Sequence, residues 1–382
     1  MLDKIKNKLR FIKNQYIYNK EVKFFDNMSD VMSFERVINN KKDSIKSICF
    51  IVPDMIAYSG GHTSILRLGT ELSKLGYDIR YITYRDMSNE EMVKNASINL
   101  KAYKGEMYTK DYLYTLENDV VVATLWESAY FVSKMQGYKM YFVQDYEPYF
   151  FNYGEKFLLA KNSYNLGLHM VSLGSWNKYM IEKECSEKCD SIDFPYEKSE
   201  YKIVKRDFVA YANKNNFKIA VYIKQDGKRA PFIIQSMLSK LEEDLKLKGI
   251  SLDIYYFGDE KKIKFKNGTN LGKLNKDELL SLYEKCDFGM VASLTNISLV
   301  PYEMIATNLP IIEFKDGTFN HFFDENSAIL TTFNYRDLTN KIYKLIQNPN
   351  LIELMCNNAY SQIDNLSWEK SAKQFRDIML DI

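Results

Sequence analysis

From Ile45 onward the chain alternates short, unbroken apolar runs with longer stretches of helical character. Unbroken apolar runs suit strands buried on both faces, and that alternation implies a parallel sheet covered by helices on both sides. Ser47–Val52 (SICFIV) is the first expected strand. A helix follows the loop Ala57–Thr63 and runs to about Leu75, with Gly76 as its stop, and Ile79–Thr83 is the next strand. Asp119–Ala123 and Lys139–Val143 give further strands, each leading into an aromatic-rich stretch, and Val171–Ile181 reads as a strand edge passing into a helix. A second series begins at Phe217, with a strand at Ile219–Ile223, a helix from about Pro231 to Lys248 and a strand at Leu252–Phe257. A short Asn270–Leu274 segment, a helix at Lys276–Lys285 and a strand at Gly289–Ala292 come next. Ile311–Ile312 is the last expected strand, and helices at about Arg336–Gln347, Leu351–Asn365 and Ser367–Leu380 close the chain. The less regular stretch from Ser191 to Asn216 is the expected interdomain linker.

Residues 1–44 stand outside this rhythm. Leu2, Ile5, Leu9, Ile12 and Tyr16 fall at helical spacing among Lys4, Lys6, Lys8, Arg10 and Lys13. Such a helix suits an anionic membrane surface over residues 1–20, or packs its apolar stripe on the domain that follows.

At 382 residues the chain has room for two domains, each with its own core. A net charge of +2 and the lack of a basic stripe argue against nucleic-acid binding. Five cysteines form no even framework, and Cys185-x-x-x-Cys189 lacks a second ligand pair, so reduced thiols are expected and no metal. No run reaches the roughly 20 apolar residues of a membrane span. The expected setting is cytoplasmic, or peripheral at the cytoplasmic face of a membrane.

Candidate chemistry concentrates in MVASLTNISLVPYEMIATNLPIIEF, Met290 to Phe314. Pro301 is suited to open a helix, since its missing N–H would have no partner there. The amides of Ser298, Leu299 and Val300 would then stand at the positive end of that helix, where a diphosphate is favoured. Glu303 follows within the first turn. Its carboxylate either accepts sugar hydroxyls beside that anion or merely complements the dipole. A second candidate is the basic turn Tyr222-Ile-Lys224-Gln-Asp-Gly-Lys228-Arg229, placed after a strand, which is either a diphosphate clamp or an exposed turn. The third is Gln144-Asp145-Tyr146-Glu147-Pro148, whose carboxylates among aromatic rings suit sugar recognition. His62 belongs to the Gly60-Gly61-His62 loop, either orienting a ligand or serving as an ordinary helix-start residue. The loop is not G-x-G-x-x-G, so no dinucleotide fingerprint is present.

S-L-V-P-Y-E-M-I-A-T-N-L-P-I-I (298–312) resembles the donor-site signature of family 4 glycosyltransferases. Q-D-Y-E-P together with the Gly-Gly-His loop resembles the rhamnan-synthesis rhamnosyltransferases within that family. The resemblance covers roughly residues 45–380 and implies the α/β fold called GT-B, two Rossmann-like doubly wound domains with an interdomain cleft. It divides the chain into a basic extension (1–44), an acceptor-binding domain (45–205), a nucleotide-sugar domain (206–366) and a helix crossing back to the first domain (367–382). By this resemblance Ser298 and Leu299 contact the diphosphate, Lys224 with Lys228 or Arg229 neutralises it, Glu303 holds the ribose, and Gly272 and Leu274 border the nucleobase. Gly60, Gly61, His62, Gln144, Asp145 and Glu147 would hold sugar or acceptor, with His62, Asp145, Glu147 and Lys224 as candidate catalytic groups. Three positions depart from the family pattern. Thr295 stands where a glutamate near the sugar is usual, Asn308 replaces a glycine, and Gln144 stands where a histidine is common.

The activity implied is metal-independent, retaining transfer of a hexosyl or deoxyhexosyl group to a growing or lipid-linked glycan, in cell-envelope polysaccharide synthesis. The co-substrate would be a nucleotide-diphosphate sugar, dTDP-L-rhamnose by the closer resemblance, with no bound cofactor. Two other classes compete: a catalytically degenerate partner of another transferase, and a sugar-nucleotide epimerase, against which the scarcity of histidines weighs.

Overall fold

The computed structural model describes residues 2–40, 44–225 and 227–381. Lys41–Asp43 in the N-terminal extension and Asp226 in the basic turn lie outside the described residues, as do Met1 and Ile382.

Helix α1 (Leu2–Ser29) precedes a first sheet of seven strands. These are β1 (Ser47–Val52), β2 (Asp78–Thr83), β3 (Glu106–Tyr108), β4 (Val120–Ala123), β5 (Tyr138–Val143), β6 (His169–Leu173) and β7 (Cys189–Ile192), in spatial order β3-β2-β1-β4-β5-β6-β7. Every pairing is parallel, with Ile48 opposite both Ile79 and Val120. Helices α2 (Gly60–Lys74), α3 (Asn89–Asn99), α4 (Trp126–Lys134), α5 (Glu155–Ser163) and α6 (Ser175–Cys185) make the crossovers and cover the faces. All six residues of β1 and all four of β4 are buried, which is why they read as unbroken apolar runs.

The second sheet takes β8 (Asn216–Tyr222), β9 (Ser251–Phe257), β10 (Thr269–Asn270), β11 (Phe288–Met290), β12 (Ile311–Phe314) and β13 (Ile329–Thr331), in order β10-β9-β8-β11-β12-β13, again all parallel. Its helices are α7 (Pro231–Lys246), α8 (Lys276–Lys285), α9 (Val300–Ala306), α10 (Tyr335–Gln347) and α11 (Asn350–Ile363). The last helix, α12 (Trp368–Leu380), leaves this domain and packs on α2 and β7, with Phe375 edge-on to Phe142.

Several elements were absent from the sequence expectation. β3 and β13 have three residues each, too few for a periodic signal. Ser191 and Ile192, read as the start of the linker, complete β7. α4 carries the aromatic run WESAYFVSK; its N-cap Leu125 has no polar side chain, Ser128 Oγ accepts from the Leu125 amide at 2.9 Å, and the first helical amide is held by a side chain 21 residues away.

α1 is exposed from Lys4 through Lys20 and attaches only by its last turns. There Phe24 meets Trp126 edge-on, Met28 is buried, and Glu21 pairs with Lys156. Among the described residues no helix is long and apolar enough to cross a membrane.

Candidate active site at the interdomain seam

In each sheet the chain reverses direction of growth at one place, between β1 and β4 in the first and between β8 and β11 in the second. Loops leaving the carboxyl ends of strands diverge at such a point, and the crevice they leave is the general ligand position of open α/β sheets. Here the two crevices face each other. Asp145, after β5, pairs with Lys228, after β8, at 3.2 Å, and the Lys228 ammonium also lies 4.4 Å from the centre of the Phe150 ring. Nearby, the Trp176 indole N–H donates to the carbonyl of Thr295 at 2.7 Å, and Ser175 Oγ donates to the carbonyl of His321 at 2.6 Å.

Two features distinguish these loops from the rest of the fold. Of the five non-glycine residues in the left-handed backbone region among the described residues, Tyr58, Ala230 and Ser298 sit in the loops after β1, β8 and β11. Each costs of order 1–3 kcal/mol, and such strain gathers where function requires a particular backbone path. Buried polar atoms without a partner also gather here: Asp54 Oδ1, His62 Nδ1, Asp145 Oδ1, Asn177 Oδ1, Thr295 Oγ1 and Ser298 Oγ, six of the eleven found among the described residues. Buried polar groups are normally satisfied, so this concentration of unpartnered atoms in the loops beyond the strand ends suits a site that takes a polar ligand.

On the first domain, Ser59 caps α2, accepting from the His62 amide at 3.4 Å. A Cβ on Gly60 would meet no atom within 4 Å, and one on Gly61 would lie 3.8 Å from the Gln144 amide group. The space over the glycine pair is therefore open, with half-buried Gln144 at its edge. Burial pushes the His62 imidazole pKa down against the pull of Asp54, so the ring is neutral near pH 7 and its unpartnered Nδ1 is available. Burial raises the Asp145 carboxyl pKa, with Lys228 opposing that shift.

Glu147 behaves differently from its neighbour. Its Oε2 accepts from the Trp126 amide at 2.6 Å and its Oε1 from the Tyr141 hydroxyl at 3.0 Å. It caps α4 from inside the domain, only 2 % exposed, and loss of water pushes its pKa up to about 8. Beside it, and unmarked by any sequence motif, Glu127 accepts from the Tyr84 hydroxyl (3.0 Å) and from Arg85 (2.8 Å), while Arg85 also reaches Asp54 at 3.4 Å. Each lies within four residues of the end of an expected strand, the one sequence signal that could have found them.

On the second domain the basic turn divides its labour. Lys224 is exposed beyond β8. Arg229 is 3 % exposed and directed inward: Nη1 donates to the carbonyls of Ala292 (3.0 Å) and Asn296 (3.2 Å), and Nη2 to Asn296 Oδ1 (2.5 Å). It braces the loop that carries Thr295 and Ser298. Under the same loop Glu313 accepts from the amide and hydroxyl of Ser293 (3.0 and 2.6 Å), and burial raises its pKa to about 7. Ser298 and Leu299 are half-buried at the start of α9, a helix of seven residues. Glu303 Oε1 accepts from Tyr201 and Oε2 from Tyr283, both at 3.0 Å, and burial raises its pKa. Asn308, in place of the expected glycine, has φ +59° at the end of α9; asparagine is among the few other residues at ease there. Gly272 (φ +82°) lies in the loop after β10, where a Cβ would fall 2.9 Å from Lys261 Cβ, and Leu274 lines an open depression of about 410 Å³ on α8 with Leu271 and Leu282.

The seam thus gathers His62, Gln144, Asp145 and Lys228 with the Ser298 loop. Glu147 and Arg229 face into the protein, and Glu303 meets two tyrosines.

No protein-family model matches the chain. Among solved structures it resembles HepE from Anabaena, solved with UDP and glucose, at TM-score 0.67 and 13% identity, covering 88% of this chain and all of that one. It also resembles sucrose-phosphate synthase from Thermosynechococcus elongatus (TM-score 0.64, 12% identity, 87% and 98% covered) and TarM (0.67, 10%, 88% and 99%), which has been solved from S. aureus. The fold is GT-B. In sequence the chain is 25% identical over 272 residues to the O-antigen biosynthesis protein RfbC of Myxococcus xanthus, a match over 66% of this chain. It spans one fifth (20%) of that curated relative's length.

Proposed function

We propose that this chain is a glycosyltransferase that moves a hexosyl or deoxyhexosyl group from a nucleotide-diphosphate sugar to a growing glycan in surface-polysaccharide synthesis. The observation that carries this reading is the seam itself: two facing switch points, bridged by Asp145–Lys228 and edged by polar atoms from both domains that have no partner. HepE, which shares this fold, was solved in complex with UDP and glucose, and RfbC is named for O-antigen biosynthesis. In this reading Lys224 and Lys228 offset the charge gained by the diphosphate as its bond to the sugar breaks. The acceptor oxygen takes that bond, and its proton passes to the departing phosphate, which is consistent with retention. The Gln144–Pro148 run supports L-rhamnose carried on dTDP as the donor. The exposed α1, whose apolar residues are spread around the helix and whose lysines would be drawn to anionic lipid, supports an acceptor presented at a membrane surface through charge.

Purified protein should be stabilised against heat by at least one of dTDP, UDP and GDP, since a ligand that binds only the folded state raises its melting point. It should then consume the matching nucleotide sugar. No shift with any of the three would refute the proposal. A second reading, a non-catalytic partner that still binds nucleotide sugar, is favoured by Thr295 in the place of an acid and by the inward turn of Arg229. Binding without turnover in the presence of a glycan acceptor would select it.

A further inference from the structure

Glu303 has two tyrosines on its carboxylate, and they come from opposite directions. Tyr283, on α8, is fully buried and supports the carboxylate from within the domain. Tyr201 belongs to the linker between the sheets, is half-buried, and donates its hydroxyl to Oε1 from outside the nucleotide-sugar domain's own helices. The linker is not free to swing there. The neighbouring Glu200 pairs with Arg67 of α2 at 2.6 Å and with Lys276 of α8 at 3.0 Å, tying the segment to both domains. The Lys276 ammonium also lies 5.8 Å from the centre of the Tyr201 ring.

A ribose binds a carboxylate best by donating both vicinal hydroxyls, one to each oxygen. Here each oxygen already accepts a tyrosine hydroxyl, and the one from the linker is fixed by charged ties. Each carboxylate oxygen has a second acceptor position, so a sugar with a single hydroxyl can share Glu303 with both tyrosines, whereas one that donates to both oxygens competes with Tyr201 for the side of Oε1 that its hydroxyl holds. We propose that Tyr201 makes Glu303 select 2′-deoxyribonucleoside diphosphates over ribonucleoside diphosphates. This rests on the glycosyltransferase reading, with Glu303 at the ribose, and adds to it a specificity residue supplied by the linker.

UDP and dUDP differ only by the 2′-hydroxyl, so calorimetric titration of both isolates the effect. The wild-type protein should bind dUDP about tenfold more tightly than UDP, the cost of displacing one charge-assisted hydrogen bond. Tyr201→Phe keeps the ring and removes the hydroxyl, and should bring the ratio close to one by tightening UDP. A purely structural tyrosine would change both affinities together and leave the ratio alone. Wild-type preference for UDP, or a ratio unchanged in Tyr201→Phe, would overturn the assignment while leaving the transferase reading in place. The wild-type ratio decides alone if the variant does not fold. Failure of dUDP, UDP, dTDP and GDP all to bind would overturn both readings.

Discussion

Replacing Glu147 with glutamine separates a structural carboxylate from a reacting one. In the fold it holds the first amide of α4 and the Tyr141 hydroxyl, and its pKa stands at about 8 because the ionised form has lost its water. In the unfolded chain the same group titrates near 4.3. Between roughly pH 4 and 8 the folded state therefore keeps a proton that the unfolded state releases. Stability falls as pH rises wherever the folded state binds more protons, so this group destabilises the protein progressively across that window. At 1.36 kcal/mol per pKa unit, the loss between pH 5 and pH 8 is about 3 kcal/mol. Glutamine has no charge to strand, and its carbonyl can accept from Trp126 while its amide donates to Tyr141. Urea denaturation of both proteins from pH 5 to 8.5 should show near-equal stability at the acid end and Glu147→Gln ahead by about 3 kcal/mol at pH 8. Glu313 adds a slope of its own, but equally in both proteins, so it cancels in the difference. Transfer activity should persist in the variant. Parallel stability curves, or lost activity on an unchanged curve, would refute the capping role and return the carboxylate to the chemistry.

Lys224→Ala removes an exposed cation and should leave stability within about 0.5 kcal/mol. It should weaken diphosphate binding about tenfold without affecting the bare nucleoside, as read by titration. Arg229→Lys replaces a fork with three contacts by a point charge, and should cost about 2 kcal/mol in urea denaturation even without ligand. If Arg229 touched only phosphate, ligand-free stability would not change. Deleting residues 2–20 removes exposed Ile5, Leu9, Ile12 and Tyr16 with their flanking lysines, and should abolish co-sedimentation with anionic vesicles while leaving the melting point unchanged. A large drop in melting point would place the helix in the fold instead.

The alternation of buried strand and helix was legible because both sheets are parallel and covered on both faces, which forces apolar runs such as Ser47–Val52. The segments after β1, β5, β8 and β11 were legible for a related reason: chemistry-bearing residues follow strand ends, so Asp145, Lys228 and Ser298 could be placed in loops, while the expected Gly60-Gly61-His62 loop is instead the first turn of α2. The short strands β3 and β13 escaped because three residues carry no period, and α4 because its N-cap is an apolar leucine and its first amide is held by a tertiary contact.

What only the tertiary structure decided is which way each of these side chains turns. Lys228 and Arg229 are adjacent in sequence with the same charge, yet one spans the seam to Asp145 and the other is sealed beneath the Ser298 loop. Asp145 and Glu147 lie two residues apart, yet one faces the other domain and the other caps a helix of its own. The pairing of Tyr201 with Glu303 joins residues 102 positions apart, from a linker with no periodicity to an early turn of α9. Patterning follows from local burial, which each residue's own polarity reports. Orientation at a site is set by partners that folding brings from elsewhere in the chain, and no stretch of sequence carries that information by itself.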